Sequence, residues 1–173
     1  MKNKILIVAF AFMLFSCVQA PFPEETQEGN DTFGMYVNGK RWIQPAVLAS
    51  TFPLTANYNP SLGLSIHASS TRQTMDLYIP DVVAPGDYYF DSKIDSIRYI
   101  SYYTCLIKNC ARPSPEDYYF LENKNESGLH LTKLDTVNKI VSGTFFLNLY
   151  NCEGDKLEIT NGRFDAKYVK YGF

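Results

Sequence analysis

The alternation that runs from Gly128 to Tyr168 constrains this chain more than any other stretch. Leu129 and Leu131, with Leu134 just beyond, stand two or three residues apart. Val141, Gly143, Phe145, Leu147 and Leu149 then alternate with Ser142, Thr144, Phe146, Asn148 and Tyr150. Leu157 and Ile159 alternate in turn with Glu158 and Thr160. Residues two apart share one face of a strand, so each run offers an apolar row to a core and a wetter row to solvent. The gaps, Asp135 to Lys139 and Asn151 to Lys156, are rich in the Asp, Asn and Gly that tight turns require. The pattern predicts a three-stranded antiparallel meander. Beyond Asn161 the apolar parity flips to Phe164, Ala166 and Tyr168, which predicts a β-bulge at Asn161-Gly162 with Gly162 at positive φ.

The same grammar extends upstream. Phe33 to Val37 and Lys40 to Ile43 flank Asn38-Gly39, the favoured type I′ hairpin turn, with Trp42 as a core anchor. A further strand is expected over Ala46 to Phe52, followed by a loop from Thr55 to Pro60. Leu62, Leu64, Ile66 and Ala68 form one strand face and leave His67 on the wetter side. Met75, Leu77 and Ile79 form the next, and Pro85-Gly86 turns the chain into Asp87-Tyr-Tyr-Phe. An aromatic strand region follows over Ile94 to Ile107. After a loop with two prolines, Asp117 to Leu121 begins another strand. No segment past the N-terminus carries a 3.6-residue stripe. The expected fold is therefore all-β: an antiparallel β-sandwich or partly closed β-barrel of about ten strands, in one domain over residues 33–173.

The N-terminus is read as an export signal. Lys2 and Lys4 precede an apolar run from Ile5 to Phe15. As a helix that run would reach about 16 Å, roughly half of a ~30 Å hydrocarbon core, so it reads as a signal and not a membrane span. Leu14-Phe15-Ser16-Cys17 resembles the lipobox of bacterial lipoproteins, which implies cleavage after residue 16 and acylation of Cys17. The alternative is ordinary cleavage near Ala20. Residues 17–32, rich in Pro and acids, read as the acylated cysteine and a flexible tether. Export also permits a disulfide, and Cys105 with Cys110 is close enough to pinch a hairpin tip. Cys152 would then be free or paired with one of those two.

The mature chain would keep 157 of the 173 residues, enough for one domain with a real core. Its 14 basic and 18 acidic residues give a net charge of −4, which argues against nucleic acid and against a polybasic membrane patch. Partners are expected to be the membrane, through the lipid anchor, and a glycan or envelope protein.

Several pieces together resemble a family of Bacteroidota cell-envelope lipoproteins of unknown function. They are Tyr36-Val37-Asn38-Gly39-Lys40-x-Trp42, Pro85-Gly86-x-Tyr88, Leu134-Asp135, Val141-Ser142-Gly143-Thr144-Phe145 and Ile159-Thr160-Asn161-Gly162-Arg163-Phe164-Asp165. The resemblance implies an all-β envelope lipoprotein, at the outer membrane on its periplasmic face or the cell surface. It carries over no catalytic residue and no cofactor.

No nucleophile elbow, zinc-protease motif, phosphate loop or EF-hand loop is present. His67 and His130 lie on different strands, and no metal site is expected of them. Glu158, Asp165 and Asp117 read as solvated face or turn residues. Arg163 reads as a structural ion pair or hydrogen-bond donor beside the bulge. Asp95-Ser96-Ile97 and Asp135-Thr136-Val137 resemble short O-glycosylation sites. The best functional hint is the tyrosine content: Tyr88, Tyr89, Tyr99, Tyr102, Tyr103, Tyr118 and Tyr119 would suit one recognition surface, since flat amphipathic rings bind at low entropic cost. The expected function is a non-catalytic binding module. A structural accessory of the envelope stands second, and a glycan-acting hydrolase third.

Overall fold

A computed structural model describes residues 21–44, 54–90, 100–104, 114–121 and 127–170. Cys17, Tyr99, Cys105, Cys110, the strand expected over 46–52 and Asp95-Ser96-Ile97 lie outside the described residues.

The fold is all-β. Eleven strands run in the order β1 (Thr32–Val37), β2 (Lys40–Ile43), β3 (Thr55–Asn59), β4 (Gly63–Ser69), β5 (Gln73–Ile79), β6 (Gly86–Tyr89), β7 (Ser101–Thr104), β8 (Tyr118–Leu121), β9 (Gly128–Asp135), β10 (Ile140–Tyr150) and β11 (Lys156–Lys170). One 3₁₀ turn over Pro115–Asp117 is the only helical element among the described residues. The sheet order is β2-β1-β11-β3-β4-β5-β7-β8-β10-β9-β6, and β10 also pairs with β11. That extra pairing closes a ring of seven strands. Two layers result, β2-β1-β11-β10-β9-β6 and β3-β4-β5-β7-β8, joined where β11 passes from β1 to β3 and where β10 passes from β9 to β8. The β3–β11 pairing is parallel and the others antiparallel, so the sheet is mixed.

The meander stands as read. Val141, Phe145, Leu147, Leu149, Leu157 and Ile159 are buried in one core cluster that also takes Trp42, Leu64, Met75 and Tyr102. A one-residue slip of β10 would turn its four large apolar side chains to water, at roughly 1.5–3 kcal/mol each. The turns close through side chains acting as local acceptors. Asp135 Oδ1 accepts from the amides of Val137 and Asn138, and Asn151 Oδ1 from those of Glu153 and Asp155. Asn38 and Gly39 both have positive φ, 48° and 74°, as a type I′ turn demands.

The bulge is real, but its strained residue differs from the expectation. Opposite β1 the register jumps from Gly34↔Arg163 to Tyr36↔Thr160, and opposite β10 from Phe145↔Gly162 to Leu147↔Ile159. Positive φ falls on Asn161, at 49°, and not on Gly162. Gly162 is glycine for another reason: a Cβ there would stand 2.4 Å from the Phe145 ring.

Other expectations change. Residues 55–59 are strand β3 and not loop, because Ala56 and Tyr58 alternate inward against polar neighbours and Tyr58 packs edge-on to Tyr168 at 5.4 Å. Leu62 precedes the strand and is exposed, since β4 begins at Gly63. Asp117 ends the 3₁₀ turn, buried, with its carboxylate accepting from the amide and hydroxyl of Ser114. Cys152 is free and exposed.

The largest correction concerns residues 21–31, expected within a flexible tether. They form a strap across the outer face of β10 and β11, held by Asp165. That side chain is only 1% exposed, so it is not a solvated face residue. Its carboxylate accepts from the hydroxyls of Thr26 (2.6 Å) and Ser142 (2.6 Å) and from the amides of Glu28, Gly29 and Asn30. Burial works to raise its pKa, yet these donors outweigh burial and hold the carboxyl below the ordinary aspartate range.

Candidate functional site

The outer face of the larger layer shows two cross-strand rows where the strap ends. Side chains directly opposite one another on paired strands are neighbours, so register alone assembles them. The first row is Asp87↔His130↔Thr144↔Arg163, across β6, β9, β10 and β11. The second is Tyr89↔Gly128↔Phe146, which runs into the bulge at Asn161. Together with Glu25 of the strap they line a groove of about 310 Å³.

The aromatic row is open. Tyr89 is 67% and Phe146 47% exposed. A Cβ on Gly128 would meet the Phe146 ring at 3.1 Å and the Tyr89 ring at 3.3 Å, so the two rings converge over a position that must stay bare. The polar row is ordered by its own pairs. His130 Nδ1 donates to Asp87 Oδ1 at 2.6 Å, the carboxylate being able only to accept. Arg163 donates through Nη1 to the carbonyl of Pro23 (3.1 Å), and its Nη2 lies 3.2 Å from Glu25 Oε1. Its guanidinium also stands 5.3 Å from the centre of the Phe22 ring, which packs on Tyr36. Arg163 is thus the structural ion pair it was read to be, and it also lines the groove. The bulge matters here, because it turns Asn161 out to the rim while returning Phe164 to the core.

The tyrosines do not share one surface. Tyr89 lies in the groove. Tyr88 donates to the carbonyl of Ala84 and packs against the core. Tyr102 is buried, and it pairs across β7–β8 with Tyr119. Tyr103 and Tyr118 meet on the outer face of the smaller layer at 5.0 Å, and Phe120 stacks on Tyr118 at 6.3 Å. The sequence did hold a signal for the groove: Phe146 is a large apolar ring in the wet row of an otherwise regular strand.

The second histidine makes a similar pair elsewhere. His67 Nδ1 lies 2.6 Å from Asp76 Oδ1, its cross-strand partner, and this bond raises the pKa of His67 against partial burial. Among the described residues, no three His, Cys, Asp or Glu side chains come close enough to hold a metal ion.

Comparisons with protein-family models, with curated proteins and with solved structures found no match.

Proposed function

We propose that this chain is a lipid-anchored envelope protein whose groove binds a neutral glycan without transforming it. The convergence of Tyr89 and Phe146 over Gly128, beside a row of hydrogen-bonding side chains, carries this reading. Sugar rings present apolar C–H faces that pack on aromatic faces, and hydroxyls that fit donors and acceptors set to one side. Both carboxylates in the groove are already engaged, Asp87 by His130 and Glu25 by Arg163. Among the described residues each charged side chain lining the groove already has a partner, which favours a neutral ligand.

A glycosidase needs two carboxyl groups free to act across a sugar. Both carboxylates of the groove are tied to a neighbouring side chain, Asp87 to His130 and Glu25 to Arg163, which favours binding over hydrolysis.

The anchor reading is sharpened by the strap. Acylated Cys17 would be joined to Pro21 by four residue steps, at most about 14 Å of extended chain. The groove would then face its ligand close to the lipid surface, at the outer membrane on the periplasmic face or the cell surface. Metabolic labelling with a palmitate analogue, lost in Cys17→Ser, tests the anchor. Calorimetric titration of the chain with neutral tri- to hexasaccharides and with their uronic-acid counterparts tests the groove. We expect saturable binding of a neutral member, weakened about tenfold or more by Phe146→Ala or Tyr89→Ala. Binding that both variants retain, or that favours the acidic sugars, sinks the reading.

A further inference from the structure

The two ends of the groove are unlike. Its polar row starts at Asp87 on β6, the last strand of the larger layer on that side among the described residues. The row passes His130 and Thr144, reaches Arg163 on β11 and continues in register to Gly34 on β1. Side-chain exposure falls along that path, from 60% at Asp87 and 55% at His130 to 30% at Arg163. Gly34, at its far end, is buried.

The strap causes the fall. Pro23 sits on Gly34, where a Cβ would come within 2.8 Å of the proline ring, so only a bare backbone admits it. Two residues along β1, the Tyr36 ring lies 5.0 Å from that of Phe22. The guanidiniums of Arg41 and Arg163 stand 6.0 Å and 5.3 Å from the centre of the same Phe22 ring. Residues 22–25 thus cross the row as a wall, with Glu25 lining the groove at its foot. The aromatic row stops on the same side. Beyond Phe146 it meets Asn161, exposed on the rim at positive φ, whose side-chain amide offers both a donor and an acceptor. At β6 both rows run out to the open edge, where Tyr89 and Asp87 are well exposed. A polymer can lie through a groove open at both ends, but a groove walled at one end admits only a chain that stops there.

We propose that the groove holds the end of a neutral glycan chain and not its middle. The terminal sugar lies against the strap, with its hydroxyls facing the Asn161 amide. The sugars that follow pass over Phe146 and then Tyr89, and the chain leaves across β6. This inference rests on the glycan reading above and adds the class of ligand to it: free chain ends, as on short oligosaccharides and the tips of polysaccharides.

Calorimetric titration of the full chain decides it. Linear neutral hexasaccharides of glucan, mannan and galactan type are each set against the unbranched soluble polysaccharide of the same linkage. In the series that binds, a polymer about ten times longer should take up about one tenth as much protein per sugar, because a chain that offers only its end presents one epitope whatever its length. Asn161→Gly, which keeps the backbone conformation, should weaken the hexasaccharide about tenfold. Phe22→Gly with Pro23→Gly removes the two rings that seat the wall and leaves the Asp165 contacts to Thr26, Gly29 and Asn30 in place. The segment ahead of Thr26 should then become open to limited proteolysis, and uptake of the polymer per sugar should rise several-fold. Equal uptake per sugar by hexasaccharide and polymer in the parent overturns the end-binding inference and leaves the glycan reading standing. So does unchanged polymer uptake in a double variant whose segment ahead of Thr26 is cleaved. If no series binds, the two readings fall together.

Discussion

Strands β10 and β11 present one outer face with two different fates. At one end Ser142 and Asp165 face each other and are sealed from water beneath residues 21–31. At the other end Thr144 and Arg163 face each other, Phe146 comes next, and the surface opens into the groove. The strands are the same and so is the alternation. The difference is what the N-terminal segment supplies. Over Asp165 it brings three amides and a hydroxyl, enough to solvate a buried carboxylate. Over Arg163 it brings one carbonyl, one carboxylate and the Phe22 ring, and it leaves Thr144, His130 and Asp87 to the groove. A polar position in the wet row of a strand is therefore no guide to exposure, because the chain can bring its own polar lining.

The largest test of this contrast is Asp165→Ala. It leaves two hydroxyls and three amides without their acceptor, so the expected loss is about 3–5 kcal/mol in urea unfolding. Limited proteolysis should then cut within residues 21–31. A loss under about 1 kcal/mol would show that the strap is held by something else. Acid titration sharpens the point. Asp165 has a depressed carboxyl pKa, so its contribution is present above the ordinary aspartate value near 3.8 and is lost as pH falls through the folded value. Asp135 is also depressed, by its bonds to Asn138, and loses its contribution in the same acid window. The diagnostic quantity is therefore the difference between the parent and Asp165→Asn. The parent should lose more stability below about pH 4 than the variant does.

Gly162→Ala comes next, because Gly162 stands where the covered end gives way to the open one. The new methyl would meet three Phe145 ring atoms within about 2.5 Å. That ring is boxed in by Phe33 at 5.5 Å and Phe164 at 6.4 Å, so it cannot swing clear. Overpacking of this kind costs about 1–3 kcal/mol. An unchanged melting temperature would mean that the bulge tolerates a side chain and does not fix the rim. Phe146→Ala, one position along, should cost no more than about 0.5 kcal/mol, since the ring is half exposed, while abolishing most of the proposed glycan binding. Equal stability losses at the two positions would erase the distinction between frame and groove.

How much of this was readable from the sequence depends on whether a residue's neighbours were local. The meander, its turns, the bulge and the Asn38-Gly39 hairpin were readable, because each rests on period-two alternation or on two adjacent turn residues. β3 was not, because Thr-Ala-Asn-Tyr-Asn has weak strand composition and is held by β4 and by a parallel pairing with the end of β11. Asp165 was misread for the same reason: its partners lie more than 130 residues away at Thr26 to Asn30, as well as across the strand pair at Ser142. In the groove, Phe146 was detectable as a parity violation. Asp87 and His130 are 43 residues apart, and only the β6–β9 register brings them together. Tyrosine count misled because it does not say which face a ring takes: Tyr102 and Tyr103 are adjacent and point to opposite sides.

Glu25→Gln should likewise have a small effect on stability, and it asks to which end the boundary residue belongs. Glu25 is carried by the strap but ion-pairs with Arg163 in the groove, where its side chain is 58% exposed. Exposed pairs contribute about 0.2–1 kcal/mol and weaken with salt. Arg163 keeps the Pro23 carbonyl and the Phe22 ring after the change, so the strap should stay docked and the loss should stay within that range. Binding should respond differently. With Glu25 neutral, Arg163 gains uncompensated charge beside the aromatic rings. Affinity for a uronic-acid oligosaccharide should then rise several-fold at low salt, while affinity for the neutral sugar stays level. If Glu25→Gln instead unfolds the strap as Asp165→Ala is expected to, the covered and open ends are one cooperative unit, and the groove could not change its ligand without loosening the strap.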